Sequence, residues 1–556
     1  MKSKTLTLRI KKSLALIKSR EALTKVQAII IALIIIVAAG VGITVYYFFL
    51  PSPAEYKKRL VIATALEPAG LDIQQISWST VVQDLIFQPF MNFNESMGMV
   101  PDLATNVVME GNNITIYLPT DAKFSNGDPI TAQIVRDSIE RYRQLSPYGS
   151  DYEAVIDYEI IDSHTLKIIC KVPPVYIWYN DIPVVYGAVV NTNVASAVGD
   201  AAFNQNPIGS GPYKVKEWVQ GSYVLLERND FYKTNLPFVV NKGPNPYIDE
   251  VMIRFIPEDL TRISELKAGT VDIALDVPTD AVAELKTNPD VRLYESITPG
   301  IHWIMINVRR PPLDDVRVRR ALNYAINRDE IKTALEDTVL PCYSYMSPSM
   351  LAYNASVEEY ASQIYAYNVE TAKNLLKEAG WVDTDGDGIV DKDGQQLRLE
   401  LLIPNDAPKF KRIGPLLQAK LASIGISVDY KEFAYSYIRA KCREWEFDLA
   451  GWFYSWFDPA GILPYRLHST LGNFTYSNPE VDRLFDIDRS TALSPTERIA
   501  LYTKLQNILL EDAPWVPLYI DISYIAVRNE VEGLKIMPPA ATLFIQDVKI
   551  KVVKGG

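Results

Sequence analysis

Residues 248–278, IDEVMIRFIPEDLTRISELKAGTVDIALDVP, contain three secondary-structure elements in order, and they decide the fold class. Residues 249–256 alternate apolar and polar side chains, as a half-buried strand does. Residues 260–269 have helical spacing, and Gly269 stands where a helix would end. Residues 271–277 return to an apolar strand. Because strands and helices alternate in the same way elsewhere along the chain, the sequence predicts an α/β protein.

The size and charge of the chain limit its class. Its 556 residues are enough for two or three domains with sizeable cores. Residues 1–22 carry a net charge of +6, so residues 23–556 carry −17 of the overall −11. A nucleic-acid-binding protein needs basic patches that neutralise phosphates. The acidic body therefore excludes a nucleic-acid partner.

Residues 26–50 contain no charged side chain and are long enough to cross a bilayer as one helix. Residues 1–25 are basic, which predicts a cytoplasmic leader, a single-pass anchor in the cell membrane and an extracellular body. The junction SREALTKVQAIII resembles the pilin-like (class III) signal peptides of archaeal surface proteins. That resemblance implies cleavage between Ala22 and Leu23, with Gln27 five residues into the mature chain. An uncleaved signal anchor is the alternative.

The three cysteines and four glycosylation sequons suit an external compartment. Cys170 lies in an alternating strand and is expected to be a small buried side chain. An oxidising exterior would allow a Cys342–Cys442 disulfide, although the sequence does not show that the two residues are close. The sequons, which suggest a glycoprotein, begin at Asn94, Asn113, Asn354 and Asn473.

Eight blocks between about residues 60 and 530 carry a family resemblance. The chain resembles the extracytoplasmic solute-binding proteins of ABC importers, family 5, of the dipeptide/oligopeptide-binding type. The blocks include FSNGDPITAQIVRDSIER, PIGSGPYKVKEW, INVRRPPLDDVRVRRALNYAINRDEI, YNVETAKNLLKEAGW, FDLAGWFYSWFDP and LQNILLEDAPWVPLY. One such block would be weak, but the whole series in order is specific.

The resemblance implies a two-lobed periplasmic-binding-protein-like fold that closes by a hinge over a solute. Lobe one would comprise residues 57–95, 206–300 and 512–550. Residues 96–205 would form an extra α/β domain, and residues 301–511 the second lobe. The transmembrane helix would precede them. The implied partners are a solute, an ABC permease and its ATPase, and the protein would have no catalytic residues of its own.

The stretch DLAGWFYSWFDP suggests which solute is bound. Peptide-binding members have an aspartate in the pattern W-x-x-D-Y-x-[DE]-P that holds the peptide ammonium, and Ser455 stands at its position here. A serine cannot supply a charge to a desolvated ammonium. Trp452, Tyr454 and Trp456 crowd the same segment, and aromatic faces suit sugar rings. The sequence therefore favours an oligosaccharide, with an oligopeptide as the alternative and metal chelates or amines as further options.

Three more residues are candidate cleft residues. Asp458 follows the aromatic cluster, Trp78 precedes the first predicted helix, and Trp303 lies near an expected crossing between the lobes. Core packing explains Trp78 and Trp303 about as well as a position in the cleft does, and a turn explains Asp458 about as well as a ligand contact does. A surface hydrolase is the alternative from another class, but the sequence has no HExxH, G-x-S-x-G or P-loop motif.

The loop GWVDTDGDGIVDKDG, residues 380–394, begins like a calcium-binding EF-hand loop. Glycine replaces the glutamate expected at position 12, so the sequence predicts at most a weak structural Ca²⁺ site on a helix-to-strand connection. The candidate ligands are Asp383, Asp385, Asp387, the Ile389 carbonyl and Asp391.

Overall fold

The segment 248–278 folds as a strand, a helix and a second strand in the computed structural model, which describes residues 56–471, 476–538 and 541–552. The elements are Glu250–Phe255, Asp259–Ala268 and Ile273–Ala274. Gly269 ends the helix with a φ of +77°, and its N–H donates to the carbonyls of Glu265 and Leu266. The α/β pattern predicted here is confirmed.

A large mixed sheet forms the centre of the compact unit Lys57–Ile550. The short strand Val339–Pro341 is also part of this sheet, where it pairs with the long strand Trp515–Arg528. From one end to the other, the strand order is Ser427–Phe433, Arg398–Pro404, Leu449–Ser455, Val291–Ile306, Trp515–Arg528, Ile273–Ala274, Arg59–Thr64, Glu250–Phe255, Tyr223–Arg228 and Tyr213–Val219.

Two long antiparallel strands connect the halves of this sheet. Val291–Ile306 pairs with Trp515–Arg528, and the register shifts between Ile297 and Ile301. Near Val291 the pair continues into Ile273–Ala274, whereas beyond Gly300 it continues into Leu449–Ser455. Two extended strands that pass between halves with separate cores suit a hinge.

Residues 106–170 form a smaller antiparallel sheet of their own. Its strand order is Asn106–Glu110, Asn113–Tyr117, Thr165–Cys170 and Val155–Asp162. The helix Ala132–Leu145, capped by the Thr131 hydroxyl, packs with this sheet around a separate core. Cys170 is buried in that core, as expected. The domain boundaries expected from the sequence stay a prediction.

The described residues also form helices, short 3₁₀ turns and several short strands. The α-helices are Val81–Ile86, Ala132–Leu145, Val175–Asn180, Thr192–Val198, Asp200–Gln205, Asp259–Ala268, Thr279–Thr287, Val316–Ala325, Arg328–Ala334, Ala355–Ile364, Val369–Glu378, Pro408–Ala422, Tyr435–Arg443, Pro464–Leu467, Pro479–Ser490 and Pro495–Asp512. Short 3₁₀ turns are Ile73–Gln75, Gly149–Tyr152, Val185–Gly187 and Pro459–Gly461. The strands outside the two sheets are Tyr56–Lys57, Met91–Phe93, Met99–Pro101, Asp391–Lys392, Gln395–Gln396, Val531–Glu532, Lys535–Met537, Thr542–Phe544 and Lys549–Lys551.

Cys342 and Cys442 are both free thiols, which corrects the suggested disulfide. Each side chain is fully buried in the same apolar cluster of the second half of the sheet. The Cys342 thiol donates to the Ser344 carbonyl at 3.3 Å. Burial raises the pKa of both thiols, so they are held as neutral core side chains.

Several expectations lie outside the described residues. They are the leader 1–25, the transmembrane helix 26–50, the cleavage at Ala22 and the sequon at Asn473. Across residues 56–471, 476–538 and 541–552, no helix has the length and apolar character needed to cross a membrane.

Candidate functional site

A cavity of about 230 Å³ lies where four segments of the chain come together. Residues 78–93 form one wall, residues 183–186 a second, residues 455–457 a third and residues 542–546 a fourth. Most of the wall is apolar or aromatic, with a few polar groups among the rings, as in many small-molecule pockets. The aromatic side chains of the wall are Trp78, Phe87, Phe93, Tyr186, Tyr232, Trp456, Phe457 and Phe544.

A short helix, Val81–Ile86, is fixed tightly in the first wall. Thr80 and Gln83 form a reciprocal capping box at its beginning. The turn containing Gly209 and Gly211 packs directly on its end, and the Gly211 N–H donates to the Ile86 carbonyl at 2.8 Å. A Cβ atom at Gly209 would lie 2.3 Å from that carbonyl oxygen. Glycine is required there because the two backbones approach so closely.

The strand Leu449–Ser455 sends alternate side chains to opposite faces, so Trp452 and Tyr454 share the buried face, opposite Phe453 and Ser455. Trp452 is fully buried and Tyr454 is 6% exposed, both in the core of the second half of the sheet. The Trp452 ring packs 4.9 Å from Tyr435, and the Tyr454 hydroxyl donates to the Tyr345 carbonyl at 3.4 Å. This corrects the prediction that Trp452 and Tyr454 line the cleft.

Trp303 also belongs to the core and not to the cavity. It is fully buried on a hinge strand, stacks on Trp515 with ring centroids 4.3 Å apart, and meets Tyr454 edge to face. Packing of this kind explains the residue without a ligand. The suggestion that Trp303 lines the cleft is therefore corrected as well.

Asp458 is fully buried and bound to other protein groups. Its carboxylate contacts the Arg498 guanidinium at 2.5 Å and accepts from the Asn180 amide at 2.5 Å. Asp488 binds the same guanidinium at 2.7 Å. Burial raises the pKa of Asp458, and the attraction of Arg498 opposes that shift. Asp458 is thus a structural ion-pair residue, which corrects its assignment as a ligand group.

Ser455, Trp456 and Trp78 do line the cavity. Trp456 follows the end of the strand, so its ring leaves the core face. Its indole N–H donates to the Asn180 amide oxygen at 2.6 Å, which connects the cavity wall to the Asp458 cluster. Trp78 is 71% exposed at the cavity. Three of the seven predicted ligand-binding residues are therefore brought together, although no ligand contact is shown for them.

The acidic and amide groups of the cavity were not predicted from the sequence. Asp84, Asp102 and Gln546 all line it. Asp102 accepts from Gln88, Thr234 and Asn92, at 2.7, 2.7 and 3.3 Å. Asp84 is half-buried in the apolar helix VVQDLI. The sequence feature that could have pointed to Asp84 is a single acidic residue in a mostly apolar helix.

The cavity is acidic. Among the described lining residues there are two carboxylates and no lysine, arginine or histidine. Burial raises the pKa of Asp84 to about 7, and burial likewise raises that of Asp102 to about 6 although its three hydrogen bonds oppose the shift. Both carboxyl groups therefore hold their protons to a higher pH than a free aspartate does, and no basic side chain lines the cavity beside them among the described residues.

The loop 380–394 brings part of the predicted calcium set together. Carboxylate oxygens of Asp383, Asp385 and Asp391 lie within 4.8 Å of one another. The Asp383 carboxylate also accepts from the N–H groups of Gly386 and Gly388. Asp387 accepts instead from Gln396 and from the Ile389 N–H. Calcium binding stays a prediction.

Relatives and solved structures share this architecture. The chain is 27% identical to the oligopeptide-binding protein AppA of Bacillus subtilis over 479 residues, covering 83% of this chain and 85% of that protein. It is 26% identical to di/tripeptide-binding protein 2 of Pseudomonas aeruginosa over 529 residues, covering 88% of this chain and 94% of that protein.

Among solved structures, NikA of Brucella suis in complex with Fe(III)-EDTA superimposes with a TM-score of 0.77 at 22% identity. The match covers 89% of this chain and all of that chain. A likeness at this identity shows the fold, and it confirms the mixed α/β, two-lobed fold of a periplasmic binding protein. The ligands named for these proteins differ, so the shared fold does not decide the solute.

The family model described as bacterial extracellular solute-binding proteins, family 5, matches residues 98–474. That match spans more than half of the chain and includes both the small antiparallel sheet and the cavity segment 455–457. Its members are binding proteins, not enzymes, in agreement with the absence of catalytic motifs noted in the sequence. The chain belongs to the family 5 extracellular solute-binding proteins.

Proposed function

We propose that this protein is the receptor of an ABC importer and captures a short peptide in the cavity lined by Trp456 and Trp78. The observation that carries the proposal is an aromatic cavity, acidic and free of basic side chains among its described residues. Apolar peptide side chains would pack on the rings, and the wall carboxylates suit a peptide ammonium. The names of the two curated relatives support a peptide over other solutes.

The size of the cavity favours a small solute. Its volume of about 230 Å³ is below the usual range of ligand pockets, which is about 300–1,000 Å³. A di- or tripeptide therefore suits the cavity better than a long chain.

The oligosaccharide preference loses its main support. It depended on three aromatic rings in one segment, and two of them, Trp452 and Tyr454, pack in the core. The remaining ring, Trp456, has its indole N–H engaged by Asn180. A sugar would need many matched hydroxyl partners, and the wall is mostly apolar.

Isothermal titration calorimetry on the full-length chain tests the proposal. Titrations would use di- and tripeptides with apolar side chains, and cello- and manno-oligosaccharides of similar size. We expect micromolar or tighter binding of at least one peptide and no heat from the sugars. Tight binding of a sugar with no response to any peptide would contradict the proposal.

We also propose that residues 26–50 anchor the protein in the cell membrane with the body outside, and that cleavage occurs between Ala22 and Leu23. The uncharged stretch and the basic leader support this topology. N-terminal sequencing of the mature protein and protease treatment of intact cells would test both points. A mature chain beginning beyond residue 50, or a body protected from protease, would contradict them.

A further inference from the structure

Asp84 is a carboxylate at the cavity wall that has no hydrogen-bond or ion-pair partner among the described residues. Across the described residues, no side-chain cation and no hydrogen-bond donor contacts its carboxylate oxygens. It lies in the first turn of the helix Val81–Ile86, and the side chain lines the cavity. A half-buried carboxylate in an apolar wall is costly to keep charged unless something pairs with it.

Gln546 is a second polar side chain of the cavity wall. It is 5% exposed, and its amide nitrogen donates to the Tyr232 hydroxyl at 2.9 Å. Its amide oxygen has no donor among the described residues, but it also has almost no accessible surface, so a solute in the cavity does not reach it in this conformation. Asp84 is therefore the group of the wall that offers an acceptor to a solute.

The side-chain amides of the wall and the Trp456 indole N–H are already used inside the protein. The amides of Gln88 and Asn92 donate to Asp102, and the indole of Trp456 donates to Asn180. The Tyr186 hydroxyl donates to the Ser77 carbonyl at 3.3 Å and accepts from the Ser79 N–H at 2.8 Å. These groups therefore do not compete with a solute for the Asp84 carboxylate, and the aromatic rings offer their faces to it.

We infer that Asp84 binds the N–H groups of an ammonium-bearing solute, whose apolar part packs against the rings of Trp456 and Tyr186. The inference rests on the proposed receptor function and narrows it to solutes with a primary ammonium. Aromatic faces attract cations as well as apolar groups. A hydrated divalent metal ion would need more oxygen ligands than one free carboxylate and an apolar wall provide.

Ser455, on the wall formed by residues 455–457, has an uncharged side chain. Asp84 brings a carboxylate to the same cavity from another wall. The ammonium would therefore be held from the wall formed by the helix Val81–Ile86 rather than from the segment 455–457.

The inference is tested with a pair of small probes and the full-length chain. Phenethylammonium and 2-phenylethanol have the same ring and nearly the same length, but only the first carries a charge. By calorimetry we expect the ammonium to bind at least 10-fold more tightly than the alcohol. Asp84→Asn should remove that difference. Glu359→Gln, which neutralises an exposed acid on the helix Ala355–Ile364, serves as the matched control and should leave both affinities unchanged.

Equal affinity for the two probes, or an unchanged preference in a folded Asp84→Asn variant, would overturn the inference. Circular dichroism and the melting temperature would show whether each variant is folded.

Peptide probes separate this inference from the proposed function. Leu-Phe-Leu with a free amine should bind at least 10-fold more tightly than its N-acetylated form. Equal binding of both forms would overturn the inference and leave peptide capture standing. Binding of phenethylammonium that depends on Asp84, with no response to any peptide, would keep the inference and refute peptide capture. No response to any of these probes would overturn the inference.

Discussion

Two carboxylates, Asp458 and Asp84, differ in whether other groups of the protein bind them. Asp458 is fully buried, and Arg498 and Asn180 satisfy it within the protein. Asp84 faces a cavity, and no described residue satisfies it. A paired buried charge belongs to the scaffold, whereas an unpaired one at a cavity is available to a solute. Asn180 joins the two regions because it binds both Asp458 and the Trp456 indole.

The largest expected effect on stability comes from removing Arg498, the counter-ion of the buried Asp458 carboxylate. Arg498→Met would leave Asp458 and Asp488 buried without a counter-ion, and we expect a loss of about 3–5 kcal/mol in the free energy of unfolding. Urea unfolding followed by circular dichroism would measure it. Arg483→Met, in an exposed pair with Glu480, is the control and should change stability far less. Equal effects of the two variants would contradict the assignment of the Asp458 cluster to the scaffold.

For the unpaired carboxylate, Asp84, we expect the opposite effect: removing its charge should stabilise the folded protein. Burial raises the pKa of Asp84 from 3.8 to about 7, so the folded state holds this proton more tightly than the unfolded chain does. Its contribution to stability is then full below pH 3.8 and is lost as the pH rises through about 7. A shift of about three pKa units corresponds to about 4 kcal/mol, and partial solvent exposure of the side chain reduces this, so Asp84→Asn should stabilise the protein at pH 8 by about 2–4 kcal/mol and have little effect near pH 4. Urea unfolding at both pH values checks this, and a destabilised variant at pH 8 would contradict it.

The carboxylates of the loop 380–394 are mostly exposed, and water already stabilises their charge. We therefore expect a cation bound there to stabilise the protein only slightly. If Asp383, Asp385 and Asp391 hold Ca²⁺ with a Kd of about 10⁻⁴–10⁻³ M, 2 mM Ca²⁺ should stabilise the protein by about 1 kcal/mol. Melting curves with Ca²⁺ and with EDTA would measure the difference. Asp385→Asn should abolish it. Identical melting temperatures in both solutions for the unmodified chain would refute the calcium proposal.

The smallest expected effect on stability belongs to Trp78. Its ring is 71% exposed beside the cavity, so Trp78→Ala should change the free energy of unfolding by no more than about 0.5 kcal/mol. Trp452→Ala, which empties a core position, should cost about 3–5 kcal/mol. Urea unfolding of both variants would test this contrast. Similar costs for both would show that the division between cavity and core is wrong.

Much of the fold was predictable from the sequence because it depends on local patterns. The strand, helix and strand of residues 248–278 follow from alternation, helical spacing and the stop at Gly269. The eight ordered blocks led to the correct family. The free thiols of Cys342 and Cys442 were not predictable, since their environment depends on residues distant in the sequence.

The candidate site was predicted only in part, and the strand Leu449–Ser455 shows why. Trp452, Tyr454 and Trp456 are spaced two apart and look equivalent in the sequence. The strand ends at Ser455, so Trp456 leaves the face that the other two rings share. Asp458 looked like a ligand group because its partners, Asn180 and Arg498, lie 278 and 40 residues away. Asp84 likewise lacks a partner among the described residues because of how segments distant in the sequence pack around it, which a local pattern does not show.

The central claim is that the unpaired Asp84 carboxylate attracts a cation into the cavity, and the pH dependence of probe binding tests it most directly. Phenethylammonium, like lysine, stays protonated between pH 5 and pH 8. The other titratable groups that line the cavity are Asp102, Tyr186 and Tyr232, and only Asp102 titrates in this range. Asp84→Asn therefore isolates the contribution of Asp84.

Calorimetric titration of the full-length chain with phenethylammonium at pH 5 and pH 8 is that measurement. The account predicts an affinity at least 10-fold higher at pH 8, and a much smaller difference in Asp84→Asn. An affinity that does not change with pH, or a change that Asp84→Asn retains in full, would contradict it.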